Sequence, residues 1–301
     1  GQGGFSVVWL AEDTFTDTQI AIKIYAPDKG LDKNGLEQFK KEFRRTRGLK
    51  HPHLLVASHF DILNNGSSPF LILPYCSNGS LSERIHTGNL FSEQEVAGLF
   101  TQVGSGLAEL HKNKIIHQDI KPDNILIDDK NRYQLTDFGI SRQMRSTLQK
   151  ATANQSYMTV AYSPPERYSA SPVDTPASDI FSLGVMCFEL CSGHVPWDGV
   201  GGMVLNSGAA VPNLPEHYPN RLNKILAACM DKKYENRPTA ATLAEIGKAF
   251  FSDEAWPDPD EIESAKSAAT SNQPEPEPDS KPETSGRKTE QLPHIDREPT
   301  P

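Results

Sequence analysis

Two short stretches of this chain concentrate the residue types that phosphoryl transfer requires. The first is His117-Gln118-Asp119-Ile120-Lys121-Pro122-Asp123-Asn124; the second, close behind, is Asp137-Phe138-Gly139. Together they offer a candidate base in Asp119, a cation in Lys121, and hard oxygen ligands for a divalent metal in Asn124 and Asp137. Moving a phosphoryl group needs a positioned hydroxyl, neutralised phosphate charge and a metal, with little covalent chemistry from the protein. On residue type alone, Asp119 and Asp123 could equally be turn residues around Pro122. His117 reads as a packing and hydrogen-bonding residue rather than a reacting group.

Further upstream, Gly1-Gln2-Gly3-Gly4-Phe5-Ser6-Val7-Val8 is rich in small residues, which let backbone N–H groups approach phosphates. A glycine cluster can also be an ordinary turn, so its place ahead of Ala21-Ile22-Lys23 matters. Strand alternation sets Ala21 and Lys23 on one face and Ile22 and Ile24 on the other. A strand lysine can be a solvated edge charge. Glu42 likewise could belong to a solvated face with Lys40, Lys41, Arg44 and Arg45.

The elements that must carry these residues change character along the chain. Val7–Leu10, Ile20–Tyr25 and Phe70–Leu73 read as strands, with Pro74 ending the last. Leu36 to Leu49 is charged and amphipathic, and Pro52 stops it. Beyond Cys76 the pattern turns helical. Ser92 and Glu95 form a capping box, and Val96, Leu99, Phe100, Val103, Leu107 and Leu110 mark one helical face. Further helices are expected over Asp179–Leu190, Leu222–Met230 and Ala240–Phe250.

In this order the motifs resemble the eukaryotic-type serine/threonine protein kinases, in their non-RD form and with a compact bacterial style, from Gly1 to about Phe250. The family's catalytic loop reads H-R-D-x-K-x-x-N and its metal loop D-F-G. The resemblance implies an α+β fold in two lobes. Residues 1–75 would form a small, mainly antiparallel β lobe with one helix, lacking the start of its first strand. Residues 76–251 would form a larger helical lobe, and residues 252–301 an acidic, Pro-rich disordered linker or tail.

The same resemblance implies ATP and Mg²⁺ as cofactors. Gly1, Gly3 and Ser6, the last in place of a third glycine, would line the phosphate loop. Lys23 would pair with the α- and β-phosphates and be held by Glu42, which falls nine residues before His51-Pro52. Val8, Ala21 and Leu126 would sandwich the adenine. Leu73 would be the gatekeeper, with Pro74 offering its carbonyl and Cys76 its N–H at the hinge. Asp119 would be the base, Lys121 would stabilise charge on the phosphoryl group, and Asn124 and Asp137 would hold Mg²⁺. Thr159 would contact the Asp119–Lys121 pair, Glu166 would meet Arg237 in a buried bidentate ion pair, and Asp179 would hold the catalytic-loop backbone.

Lys121, two residues after the base, and Thr159 point to Ser/Thr hydroxyls of proteins as acceptors. Two rivals stand beside this reading. A nucleotide-binding pseudokinase is favoured by Ser6 and Gln118 and opposed by the intact Lys23, Asp119, Asn124 and Asp137. A small-molecule phosphotransferase would share an H-x-D-x-x-x-x-N loop but not Thr159, Pro164-Pro165-Glu166 and Arg237.

Gln118 stands where the family usually has Arg, the residue that binds a phosphate on the activation segment. An amide cannot make that charge-assisted contact. Activity is therefore expected not to depend strictly on phosphorylation of Ser146, Thr147, Thr152, Ser156 or Thr159, although autophosphorylation in trans is expected.

The net charge of −9 is an uneven average over 301 residues. From Asp253 to Pro301 there are 13 Asp/Glu against 5 Lys/Arg, which leaves 26 against 25 before it. The folded part is close to neutral, with no compositional case for nucleic acid. The last fifty residues, with nine prolines and Trp256 as their one aromatic, cannot bury enough surface to offset chain entropy. Cys76, Cys187, Cys191 and Cys229 show no metal-ligand spacing, and Cys187 and Cys191 suit one buried helix face. A reduced, cytoplasmic setting follows, either free or as the cytoplasmic part of a membrane-anchored protein. There is no membrane segment within the chain, and Gly1 without an initiator Met reads as the start of an excised fragment.

Overall fold

The computed structural model describes residues 6–63, 66–140, 142–151 and 158–257. Gly1 and Gly3 of the glycine-rich stretch lie outside the described residues, as do Thr152, Ser156 and the side chain of Thr159. The chain begins with strands β1 (Ser6–Asp13) and β2 (Thr18–Tyr25), then helix α1 (Lys33–Thr46), then β3 (His59–Ile62) and β4 (Pro69–Pro74). The four strands form one antiparallel sheet in the order β1-β2-β4-β3. Its register sets Val8 opposite Lys23 and Ala21 opposite Leu73. The side chains expected to surround a nucleotide base are thus neighbours across the ladder. Both strands of the hairpin run further than their apolar cores, because the Asp13–Thr18 turn continues the pairing to its end.

Helix α1 starts where Asp32 accepts a hydrogen bond from the Gly35 N–H at 2.7 Å, one turn earlier than its apolar pattern suggests. Phe39 is buried against Tyr25, with ring centroids 4.9 Å apart, and Phe43 stacks on Phe60 of β3 at 4.9 Å. These aromatic contacts fix the helix to the sheet.

The second part is built from α2 (Leu81–His86), α3 (Glu93–Lys112), the short hairpin β5 (Ile125–Ile127) and β6 (Tyr133–Leu135), α4 (Arg142–Ala151), α5 (Pro176–Ser192), α6 (Met203–Asn206), α7 (Asn220–Cys229) and α8 (Ala240–Asp253). The capping box of α3 is formed, with the Ser92 N–H donating to Glu95 Oε2 at 2.8 Å. All six apolar residues of its predicted face are buried. Helix α5 is buried on nearly every side in the centre of the core, with Cys187 and Cys191 buried as free thiols. Helices α3 and α8 pack closely because Gly247 lets backbones touch. A Cβ there would lie 2.4 Å from the Ala97 carbonyl oxygen.

Two links carry the chemistry-bearing loops. Leu135 donates its N–H to the His53 carbonyl, and Leu55 donates to the Leu135 carbonyl, so the segment after α1 is pinned to β6. Below them, Arg237 donates to both oxygens of Glu166, at 2.9 and 2.7 Å. Ser178 also donates to Glu166, and the guanidinium covers the Phe181 ring. Arg237 and Glu166 side chains are 0% and 6% exposed. The expected buried pair is therefore formed with its remaining valences satisfied.

One residue departs from expectation. Trp256, assigned to the solvated tail, is 2% exposed. Its ring packs on Phe250 and Phe100, and its indole N–H donates to Glu93 at 2.7 Å. Arg221 donates to its carbonyl. A single large aromatic with a satisfied polar edge joins the core despite its polar neighbours in sequence.

Burial raises the Glu166 pKa, but the hydrogen bonds and charge of Arg237 outweigh it and leave the carboxyl below its ordinary 4.5. A depressed carboxylate stabilises the fold above its unfolded pKa and loses that contribution as pH falls through the folded value. Arg237→Ala should cost about 3–5 kcal/mol at neutral pH, because it strands a buried charge. Urea unfolding at pH 7 and at acid pH below the Glu166 pKa checks both parts. The gap between wild type and variant should be large at pH 7 and narrow in acid.

Candidate active site

Catalytic-loop geometry begins with Asp179 near the start of α5, which is 1% exposed. Its Oδ2 accepts the His117 N–H and a hydrogen bond from His111 Nε2, each at 2.8 Å, and its Oδ1 accepts the Gln118 N–H at 2.8 Å. Burial raises the Asp179 pKa, but these bonds prevail and it stays below the ordinary carboxylate range. The clamp forces a sharp bend: Gln118 has φ +67°, in the left-handed region, and its carbonyl accepts from Arg167.

His117 is fully buried, and burial lowers its pKa, so the imidazole is neutral. Nε2 donates to the Thr136 carbonyl at 2.8 Å and Nδ1 accepts the Asp119 N–H at 3.3 Å, which fixes the tautomer. Its role is to tie the catalytic loop to the strand end before Asp137. That matches the structural part expected for it.

Asp119, Lys121 and Asn124 converge. The Asn124 amide donates to the Asp119 carbonyl at 2.7 Å and to its Oδ2 at 2.9 Å, and Lys121 Nζ lies 3.5 Å from that same oxygen. With the amide N–H₂ committed to Asp119, the Asn124 carbonyl oxygen is the atom suited to a metal. Burial raises the Asp119 pKa, but the charges of Arg145 and Lys121, with the Asn124 hydrogen bond, bring it down to about 2.

Lys23 is buried on β2 and hydrogen-bonds both oxygens of Asp137, not Glu42. The expected Lys23–Glu42 pair is corrected in this conformation. The physical cause is the position of α1. Its buried face meets the segment after Asp137, where Ile140, Met144 and Leu148 pack into one cluster with Tyr25, Leu31 and Phe39. Glu42 is itself buried and lines a cavity of about 40 Å³ with Leu73, Phe138 and Gly139. Burial raises the Asp137 pKa, but the Lys23 charge and hydrogen bond outweigh it and keep the residue ionised.

The residues expected to enclose a nucleotide base form a separate apolar wall. Leu55, Leu73 and Cys76 make a small cluster on which Ala21 and Leu126 pack. Val8 lies across the ladder from Lys23, and Ser6, at the start of β1, is buried. Pro74 is exposed at the end of β4. Burial pushes the Cys76 thiol up to about 11, so it is protonated at neutral pH.

Sequence reasoning missed α4 and Arg145. The available signal was Ile140, Met144 and Leu148 at i, i+4 and i+8, a narrow helical stripe inside a polar segment. The Arg145 side chain is 10% exposed. Its Nη1 lies 2.6 Å from Asp119 Oδ2, a close ion contact rather than a directed hydrogen bond. Its other nitrogens donate to the carbonyls of Ile140, His117 and Asp137.

Comparison with known proteins identifies the family. The family model described as the protein kinase domain matches residues 1–247. Serine/threonine-protein kinase PrkC of Bacillus subtilis is 31% identical over 264 residues, covering 84% of this chain and 40% of its own length. Serine/threonine-protein kinase PknK of Mycobacterium tuberculosis is 30% identical over 254 residues, covering 82% and 22%. A plant protein, CBL-interacting serine/threonine-protein kinase 2 of Arabidopsis thaliana, is 29% identical over 248 residues, covering 81% and 54%. The chain thus spans from about a fifth to about half the length of these relatives. A strand-rich lobe, a helical lobe and the matched family model lead to one conclusion: this chain belongs to the protein kinase domain family.

Proposed function

We propose that this chain is the catalytic domain of an ATP- and Mg²⁺-dependent serine/threonine protein kinase. The observation that carries the reading is the convergence of Asp119, Lys121, Asn124, Asp137 and Lys23 on one site. Asp119 and Asn124 share a hydrogen bond, and His117 ties their loop to the strand end before Asp137. The kinase domain proper is taken as 1–257 rather than 1–251, with the sheet lobe at 1–75 and the helical lobe from 76, because α8 runs to Asp253 and Trp256 is part of the core. The residues beyond are taken as the linker or tail.

The donor set fits the metal. Asn124 and Asp137 offer a neutral and an anionic hard oxygen, the ligand chemistry that Mg²⁺ prefers. When bound, Mg²⁺ supplies charge neutralisation on the phosphates and orients them. Lys23 is the one lysine described on the sheet side that faces this carboxylate, and it would move to the α- and β-phosphates. Glu42, already buried on α1, would then receive the ammonium. Ala21, Val8 and Leu126 would enclose adenine, with Leu73 behind it and the Pro74 carbonyl and Cys76 N–H along its edge. Gly1, Gly3 and Ser6 would cover the phosphates.

Asp119 would orient the acceptor hydroxyl and take its proton as the bond to phosphorus forms in line. With its pKa held low it is a weak base, which suits a loose transition state in which the proton leaves late. Lys121, close to the same oxygen, would balance charge on the moving phosphoryl group. Ser/Thr side chains of proteins are the proposed acceptors, including those of a second copy in trans. Among the described residues no helix is long and apolar enough to cross a membrane. A cytoplasmic site of action is part of this proposal.

Asp119→Asn and Lys23→Met should each lower kcat at least a hundredfold in a domain that still folds, and Lys23→Met should also lower the unfolding temperature because it strands the buried Asp137 carboxylate. A radiolabelled-ATP assay on a generic basic protein measures this, and near-wild-type turnover in Asp119→Asn would remove the proposed base. If wild type binds Mg·ATP but transfers nothing under any condition, the pseudokinase reading gains instead. For Gln118, phosphatase-treated enzyme should retain activity, whereas Gln118→Arg should introduce sensitivity to phosphatase. Loss of activity on dephosphorylation, unaffected by Gln118→Arg, would refute the proposed independence.

A further inference from the structure

Gln118 carries a left-handed backbone, φ +67°, without being glycine, so its surroundings must hold it there. The two peptide units that flank it are planar, and each is gripped at both polar ends. In the unit before it, the His117 carbonyl accepts from Arg145 at 3.2 Å and the Gln118 N–H donates to Asp179 at 2.8 Å. In the unit after it, the Asp119 N–H donates to His117 Nδ1 at 3.3 Å and the Gln118 carbonyl accepts from Arg167 Nη2 at 3.2 Å. That second unit leads directly into the Cα of Asp119. Its bond to His117 is neutral and long, so the charge-assisted contact from Arg167 is the stronger hold on this plane.

Arg167 is itself fixed from two directions. It stands in the short 3-10 turn Pro165–Tyr168, next to Glu166, which Arg237 anchors. Its Nε donates to Asp174 Oδ1 at 2.8 Å, and the two side chains are 10% and 22% exposed. Asp174 immediately precedes Thr175 at the N-terminus of α5, the helix that carries Asp179. A guanidinium suits this bridge, because its donors point in fixed directions and serve a carboxylate and a carbonyl together.

We propose that Arg167, with Asp174 as a permanent counter-ion, is a positioning residue that sets the Gln118–Asp119 peptide and through it the aim of the Asp119 carboxylate. The proposal rests on Asp119 acting as the base. A carboxylate encoded in the chain steadies the arginine that steadies the catalytic loop, so no added phosphate is needed for that task. The Gln118 side chain cannot make a charge-assisted grip on a phosphate, and the same residue is held instead through its backbone carbonyl.

The test uses the whole chain, phosphatase-treated, with a generic basic protein as acceptor. Arg167→Met removes the donors and keeps an apolar stem. It should lower kcat roughly tenfold or more while KM for Mg·ATP stays within about twofold, because the nucleotide contacts are untouched. Asp174→Asn should lower kcat by about threefold, and the double variant should fall no further than Arg167→Met, since the two act as one unit. Amide exchange over residues 117–120 should quicken in Arg167→Met while α3 and α5 stay protected. Arg221→Met, which removes an arginine bond to the Trp256 carbonyl elsewhere in the helical lobe, should leave kcat unchanged. Three results overturn the positioning role: wild-type kcat in Arg167→Met, unchanged exchange over 117–120, or an equal loss of kcat in Arg221→Met at an equal fall in unfolding temperature. With Asp119→Asn inactive, any of these leaves the base reading intact. Wild-type turnover in Asp119→Asn overturns both.

Discussion

The buried carboxylate of Asp179 is the contact on which the site depends. It takes hydrogen bonds from two consecutive backbone N–H groups and from His111, all at 2.8 Å. A buried anion must be matched to this degree to be tolerated, and here the matching groups belong to the loop that carries Asp119. Because α5 lies in the centre of the helical core, the catalytic loop inherits the rigidity of that core. The left-handed backbone at Gln118 is held in place by the same pair of oxygens.

Around this fixed point the two lobes are held together by different contacts. The helical lobe is closed by apolar packing and by the Glu166–Arg237 pair. The sheet lobe is joined to it by the backbone bonds of His53 and Leu55 to Leu135. Between them, Asp137 also adopts a left-handed backbone, φ +63°, so the proposed metal ligand sits at a bend rather than in a strand. In this structure its carboxylate is paired with Lys23.

Much of this was legible in the sequence where function demands fixed spacing. Asp119, Lys121, Asn124 and Asp137 stand at short intervals that place their side chains together whatever the lobes do. Glu166, Arg237 and Asp179 were legible through the family resemblance of the motifs that carry them, not from charge or spacing alone. The element pattern was legible because the α3 capping box and its apolar face are local signals. Arg145 was not, because its partner lies 26 residues earlier and its helix is mostly polar, with a stripe only one residue wide. The Lys23 partner was misjudged because a sequence encodes several conformations while a structure displays one. Trp256 was assigned by the composition of its neighbours, whereas one indole decides its own burial.

The wall against which adenine is proposed to lie contains a sulfur atom. Cys76 is 8% exposed, and burial, with the nearby Asp128 and Asp129, keeps its thiol protonated. Nucleophilic attack by cysteine proceeds through the thiolate, which is scarce at a pKa of about 11. Electrophilic warheads aimed at a hinge cysteine would therefore find a poorly reactive group here. Selectivity against this chain would have to come from shape, and oxidants would pass the hinge by for the same reason.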